Sequence, residues 1–171
     1  MRTRLLCLAA SFLVVASSVS AQSRDPFFAT FTPSYDLIYH ELSETSAFGG
    51  HFDVATTIKR DVPFLTLAGE VAINHFEDAN VSSFLGGPRL RFANINQNLL
   101  PFAPVVIGLY HCGVCDINDF ALQLGGGIDW RLHRRSDLRV RTQVDWRHMF
   151  DEFSDFNAGR LSIGVVFPLN K

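Results

Sequence analysis

The stretch LRVRTQVDWRH, residues 138–148, alternates charged with apolar side chains in a pattern that can build ion pairs. Successive side chains of a β-strand point to opposite faces, so the charged residues share one face and the apolar residues share the other. The polar face holds Arg139, Arg141, Gln143, Asp145 and Arg147. Such a strand fits a soluble sheet with its charges in water, or a membrane barrel with its charges in the lumen.

Cys112 and Cys115 form a CxxC motif. In an oxidising compartment we expect a disulfide that closes a small loop and contributes at most about 2 kcal/mol. A redox motif or half of a zinc site has the same spacing, but no second CxxC completes four zinc ligands. Because His111 precedes the first cysteine, the motif is not a haem attachment site.

Eight segments of about ten residues alternate polar with apolar side chains, and turn residues separate them. This pattern is typical of membrane strands rather than helices. It predicts an all-β fold, an eight-stranded antiparallel up-and-down transmembrane β-barrel. The segment at 102–111 is apolar on both faces, so its inward face is not predicted. The eight segments are 29–40, 46–58, 64–76, 81–93, 102–111, 119–132, 138–149 and 158–168.

The N-terminus has the features of a secretory signal. Basic residues precede an apolar run at 5–16, and Val19 and Ala21 occupy the −3 and −1 positions of a signal-peptidase site. We therefore predict a signal peptide at residues 1–21, removed before folding, and a single barrel domain at residues 22–171.

Charge and hydropathy argue against two classes of protein. The chain has 15 basic and 17 acidic residues and a net charge of −2, which becomes more negative when Arg2 and Arg4 leave with the signal. We therefore expect no nucleic-acid partner. No later run of eighteen apolar residues exists, so we expect no membrane-spanning helix.

Aromatic residues near the segment ends favour the membrane over a soluble sandwich or a lipocalin-like barrel. Soluble barrels fill their interior with apolar side chains and have no reason to collect large aromatics at strand ends. In membrane barrels such residues form girdles at the two interfaces. The candidates for a girdle are Tyr39, Tyr110, Trp130, Trp146 and Phe167.

The connections also sort by charge. If the N-terminus lies in the periplasm, the links after the first, third, fifth and seventh segments face outward and contain no Lys or Arg. Their carboxylates are Glu41, Glu44, Glu77, Asp78, Asp116, Asp119, Asp151, Glu152 and Asp155. The inner turns hold Lys59, Arg60, Arg134 and Arg135. The simpler alternative is that these are the solvated loops of any β protein.

Several segments resemble the bacterial outer-membrane β-barrel domain proteins, small OmpA-like eight-stranded barrels. They are LGGPRLRF at 85–92, PFAPVVIGL at 101–109, LGGGIDWRL at 124–132, RVRTQVDW at 139–146 and RLSIGVVF at 160–167. The likeness extends over about residues 80–168. It implies a secreted barrel in the bacterial cell outer membrane, whose last strand is recognised by the barrel-insertion machinery. In this chain Phe167 is followed by four further residues, whereas such strands usually end on an aromatic residue.

In this reading the apolar face meets lipid, because an arginine facing the bilayer midplane costs about 2–4 kcal/mol. The predicted lumen network consists of Asp36, Asp53, Glu70, Arg89, Arg91, Asp129, Arg131, Arg139, Arg141, Asp145, Arg147 and Arg160, with His51, Gln123 and Gln143 between them. Pairing Leu132 with Leu138 sets Asp129 across from Arg141. Eight strands enclose only enough room for side chains, so the network predicts a plug, with a narrow gated pore as the alternative.

Histidines recur at the outward ends of the odd-numbered segments, next to carboxylates: His40, His75, His111 and His148. A ring of this kind could bind a divalent metal. His75 and His148 are at lipid-facing positions of their strands and His40 is not, so these side chains cannot all bind one metal ion. We therefore expect contacts with lipid headgroups, and neither a metal nor another cofactor.

The sequence predicts a non-enzymatic, monomeric barrel with a structural role in the envelope or a role in binding a surface ligand. Its expected partners are outer-membrane lipid and lipopolysaccharide. A lipid A deacylase, the enzymatic alternative, places a histidine and a serine two residues apart, and the chain has no His-x-Ser, GxSxG or HExxH. A second alternative, a soluble periplasmic carrier of lipids or small molecules, needs an apolar lumen.

Overall fold

The computed structural model describes residues 27–40, 43–58, 64–75, 80–92, 98–113, 117–132, 138–150 and 156–169. The proposed signal peptide lies outside the described residues, so its cleavage stays a prediction. Within these ranges no helix is long and apolar enough to cross a membrane.

Eight antiparallel strands pair in chain order and close into a barrel. They are β1 Phe27–His40, β2 Ser43–Thr57, β3 Leu65–His75, β4 Asn80–Arg91, β5 Leu99–Cys112, β6 Ile117–Arg131, β7 Arg139–Phe150 and β8 Phe156–Pro168. The predicted all-β, eight-stranded, up-and-down architecture is confirmed, and each predicted segment overlaps one observed strand.

Closure depends on the pairing of the first and last strands. Phe28 lies opposite Pro168, Tyr39 lies opposite Asn157, and the Leu169 amide donates to the Phe27 carbonyl at 2.7 Å. A closed sheet has no edge with unpaired amides and carbonyls, which is the condition for placing strands in hydrocarbon.

The two faces of the barrel differ in polarity. Large apolar side chains cover the outer face, and Val144 and Leu161 at mid-strand are 61% and 62% exposed. Most side chains in the lumen are polar or charged, and Arg141 and Arg160 are each only 2% exposed there. The distribution is the reverse of that in a soluble barrel, whose core is apolar.

The structure shows which alternate side chains of β5 face the lumen, a question that the sequence left open. Phe102 and Val106 point into the lumen, whereas Val105 and Ile107 face outward. Tyr110 shares the inward parity and packs against a buried apolar cluster of Leu85, Val106, Ala121, Met149 and Ala158. Its assignment to the outer girdle was therefore wrong, because a β-strand alternates strictly from Phe102 onward. The structure does not describe the side chain of Tyr39.

Candidate functional site: the charged lumen

Arg141 on β7 joins carboxylates from two other strands. Its Nε and Nη2 donate to the two oxygens of Asp129 on β6 at 2.7 and 3.0 Å, and its Nη1 donates to Asp53 on β2 at 2.9 Å. Asp129 lies opposite Arg141 in the β6–β7 register, and the Leu132 amide donates to the Leu138 carbonyl at 3.3 Å. The bidentate geometry uses the fixed fork of the guanidinium group, the strongest form of this pair.

Arg160 on β8 forms the second centre of the network. Its Nη1 and Nη2 donate to the Glu70 carboxylate on β3 at 2.5 and 3.0 Å. Its Nε and Nη2 also donate to Asp145 on β7 at 2.9 and 2.7 Å. Gln143 donates to both oxygens of Asp145 at 2.8 and 2.9 Å. Arg160 thus connects opposite walls of the lumen.

Polar side chains extend the network from these two centres. Arg147 donates to the Gln123 amide oxygen at 2.8 and 3.1 Å and approaches Glu70 at 3.5 Å. Asn74 donates to Asp36 at 2.6 Å and contacts the Ser34 hydroxyl at 3.4 Å. His51 is 1% exposed on the lumen face of β2.

Two phenylalanines stack with the arginines. Arg89 donates to Asp53 at 3.0 Å. Its guanidinium lies 5.1 Å from the centre of the Phe102 ring, and that of Arg141 lies 4.4 Å from the same centre. Cation–π contacts of this kind stabilise desolvated guanidinium groups.

At the end of the lumen where the chain enters β1, Arg91 and Arg139 each lie 4.9 Å from the centre of the Phe28 ring. Arg139 is opposite Arg131 in the β6–β7 register, and Arg91 and Arg131 are half-buried. Sequence reasoning missed both phenylalanines, because Phe28 precedes the first predicted segment and Phe102 lies in a segment that is apolar on both faces.

Glycines on β6 provide the room that the network needs. A Cβ at Gly125 would overlap the Asp145 carboxylate, and a Cβ at Gly127 would overlap the Phe102 ring. Gly125 thus admits a side chain of β7, and Gly127 admits Phe102 from β5, whereas Gly126 faces outward like Leu124 and Ile128.

All twelve residues of the predicted charge network have the inward parity of their strands, and ten of them are buried. That they act together as a plug stays a prediction. Cys112 is buried at the end of β5, whereas Cys115 lies outside the described residues, so the disulfide also stays a prediction. Within the described parts of the chain, no group of three or more His, Cys, Asp or Glu residues could hold a metal ion.

No protein-family model and no curated protein sequence matches this chain. Solved structures do match. Neisserial surface protein A superposes with a TM-score of 0.69 at 13% identity, over 82% of this chain and 95% of that one. This chain has the fold of the small outer-membrane β-barrels.

Two further small outer-membrane barrels agree with this fold. The Ail attachment invasion locus protein of Yersinia pestis matches with a TM-score of 0.54 at 11% identity, over 85% of this chain and all of that one. The N-terminal β-barrel domain of OprF of Pseudomonas aeruginosa matches with a TM-score of 0.50 at 14% sequence identity, over 84% of this chain and 100% of that one. The closed barrel and its apolar outer surface together assign the chain to the bacterial outer membrane.

Proposed function

We propose that this small outer-membrane barrel is a non-enzymatic envelope protein whose lumen is closed by its own charges. The observation that carries the proposal is the pairing of two buried arginines, each with carboxylates from two other strands. Arg141 bridges β7, β2 and β6, and Arg160 bridges β8, β3 and β7. The interior of an eight-stranded barrel is only wide enough for its side chains, so these bridges leave little space for ions.

Buried apolar side chains beside the charges support the same function. In the strand register Leu85 of the apolar cluster lies opposite Glu70, and Ala158 lies opposite Arg147, so the cluster reaches the depth of the charge network. An ion crossing the barrel would have to leave water and pass both the paired charges and these apolar side chains, each of which is unfavourable.

Conductance measurements test this proposal. We expect the full chain, refolded into a planar bilayer, to give no stable conductance steps, because paired charges occupy the lumen. Insertion is checked first by heat-modifiability, since a folded barrel migrates faster on a gel before boiling than after it. A conducting porin in the same bilayers is the positive control. Reproducible steps from inserted protein would instead support the narrow gated pore.

The two other classes fit less well. A soluble carrier needs an apolar cavity, and the lumen is lined by buried charges. PagL, an outer-membrane enzyme, is among the matched structures. The chain contains no His-x-Ser, GxSxG or HExxH motif. We therefore favour an envelope role or the binding of a surface ligand.

Charge indicates which surface ligand would fit. Ail was solved in complex with the heparin analogue sucrose octasulfate, a polyanion. In this chain the four outward connections carry carboxylates and no Lys or Arg. We expect no binding of sucrose octasulfate in calorimetry at low ionic strength, where electrostatic attraction is strongest, whereas a polycationic peptide of matched charge should bind. Binding of the polyanion and not of the polycation would refute the charge argument.

A further inference from the structure

The outer surface carries a polar strip near one end of four adjacent strands. On β3 and β4, His75 Nδ1 lies 2.8 Å from Asn80 Oδ1, and on β5 and β6, His111 Nδ1 lies 2.9 Å from Asn118 Oδ1. Each histidine is directly opposite its asparagine in the strand register. Ser82 on β4 is opposite His111 and joins the two pairs. We call these five residues the polar strip.

The polar strip faces away from the lumen. His75 has the parity of Ile73, which is 60% exposed, and His111 has the parity of Leu109, which is 38% exposed. Both pairs are on the surface and lie within two residues of the ends of β3 and β5. The strip therefore begins where the apolar outer columns of these strands stop, at the depth of the lipid headgroups.

The hydrogen-bond geometry fixes what the strip presents. An amide oxygen accepts and does not donate, so each bond requires a proton on Nδ1 of the imidazole ring. The same bond leaves the NH₂ group of each asparagine as a donor and, in the neutral imidazole, the Nε2 atom of His75 and His111 as an acceptor. Side by side on four strands, the amide groups can donate to phosphate oxygens, and the Nε2 atoms can accept from neighbouring sugar hydroxyls.

We propose that the polar strip binds the phosphate-bearing glycolipid headgroup of the outer leaflet, lipopolysaccharide. The inference rests on the proposed membrane function and on a periplasmic N-terminus, which makes the end with the acidic connections the outward end. Those connections contain no Lys or Arg that would compete for the phosphate. The donors that the polar strip offers to phosphate oxygens are therefore the amide groups of Asn80 and Asn118.

A third pair provides an internal comparison. His148 Nδ1 lies 3.0 Å from Asn157 Oδ1 on β7 and β8, in the same register position. This pair is partly buried, and the imidazole stacks on Trp146 at 5.7 Å and meets the edge of Phe150 at 4.5 Å. The aromatic neighbours occupy the space that a headgroup would need, so this pair serves to strengthen the β7–β8 hairpin.

Native mass spectrometry of the full chain released from vesicles of phosphatidylethanolamine and lipopolysaccharide tests the proposal. The double variant His75→Phe/His111→Phe keeps aromatic rings in place but removes the polar atoms. We expect it to retain lipopolysaccharide roughly tenfold less than the unmodified chain, since two hydrogen-bonding positions are lost. Two variants are expected to retain it normally. One is His148→Phe, and the other is Ile73→Phe/Leu109→Phe, which introduces phenylalanine at the next outward-facing positions of β3 and β5.

Each comparison has an outcome that overturns the proposal. Equal retention by the double variant, or equal loss in the deeper control, removes the strip as the binding site. Retention of a dephosphorylated glycolipid at the same level removes phosphate as the recognised group. Displacement of the lipid by inorganic phosphate assigns the site to free phosphate. The variant Asn80→Ala/Asn118→Ala is a second route to the same loss. Heat-modifiability separates the proposals, because inserted barrels that retain no lipopolysaccharide contradict this inference alone.

Discussion

Replacing Arg160 with methionine is expected to lower the free energy of unfolding of the barrel by about 3–5 kcal/mol, the cost of breaking one side of a buried ion pair. The guanidinium of Arg160 contacts both Glu70 and Asp145, and all three side chains are almost completely buried. Methionine has similar volume and no charge. The variant therefore leaves two carboxylates in the lumen without their shared cation. Urea titration of the barrel in lipid vesicles, read by the gel shift of the folded form, measures the loss.

Two further variants make this prediction specific to charge. Arg131→Met removes a half-buried arginine at the end of the lumen, opposite Arg139, and is expected to cost less than about 1 kcal/mol, as for an exposed pair. Adding Asp145→Asn to Arg160→Met removes one uncompensated charge, while Glu70 keeps Arg147 at 3.5 Å, so part of the lost stability should return. A loss below about 1 kcal/mol for Arg160→Met would mean that water reaches these carboxylates and that the lumen is not closed.

The sequence indicated the inner and outer faces of β7 because its residues alternate without interruption. Arg139, Arg141 and Arg147 point inward, as the energetic argument about lipid requires. The contact between Asp129 and Arg141 also followed from local information, since a short hairpin determines which residues face each other. Strand alternation and hairpin register are properties of neighbouring residues, which is why a single sequence contains them.

Contacts across the lumen could not be derived in the same way. Glu70 and Arg160 are 90 positions apart, and Asp53 and Arg141 are 88 apart. Which residues meet depends on the tilt and stagger of the closed sheet, a property of all eight strands together. The sequence therefore predicted which residues of each strand face the lumen but did not assign the partners across the barrel.

The aromatic lining of the lumen was missed for a different reason. Phe102 lies in a segment that is apolar on both faces, so alternation does not show which face points into the lumen. Tyr110, which was placed in the outer girdle, has the same inward parity as Phe102. One signal was present in the sequence: Gly127 removes a side chain from the wall at the point where the Phe102 ring enters. A glycine within a strand often marks such a close approach.

Replacing Val144 with arginine is expected to destabilise the barrel by about 2–4 kcal/mol in a bilayer, the cost of a cation facing the midplane of the hydrocarbon. Val144 lies near the middle of β7, is 61% exposed on the outer face, and has the buried lumen residues Gln143 and Asp145 on either side. The chain therefore tolerates arginine at neighbouring inward positions of β7 and should reject it here. Urea titration in vesicles gives the difference in unfolding free energy.

Depth provides the control for this substitution. Trp130 is 58% exposed on the same outer surface but lies next to the last residue of β6, so Trp130→Arg should incur only the interfacial cost of the charge, about 0–1 kcal/mol, in addition to the loss of the ring. Val144→Leu preserves apolarity at the deep position and should be close to neutral. If the outer face met water, both arginine substitutions would change stability by about 0.5 kcal/mol or less, apart from lost packing. A cost that depends on depth is thus evidence for lipid around the barrel.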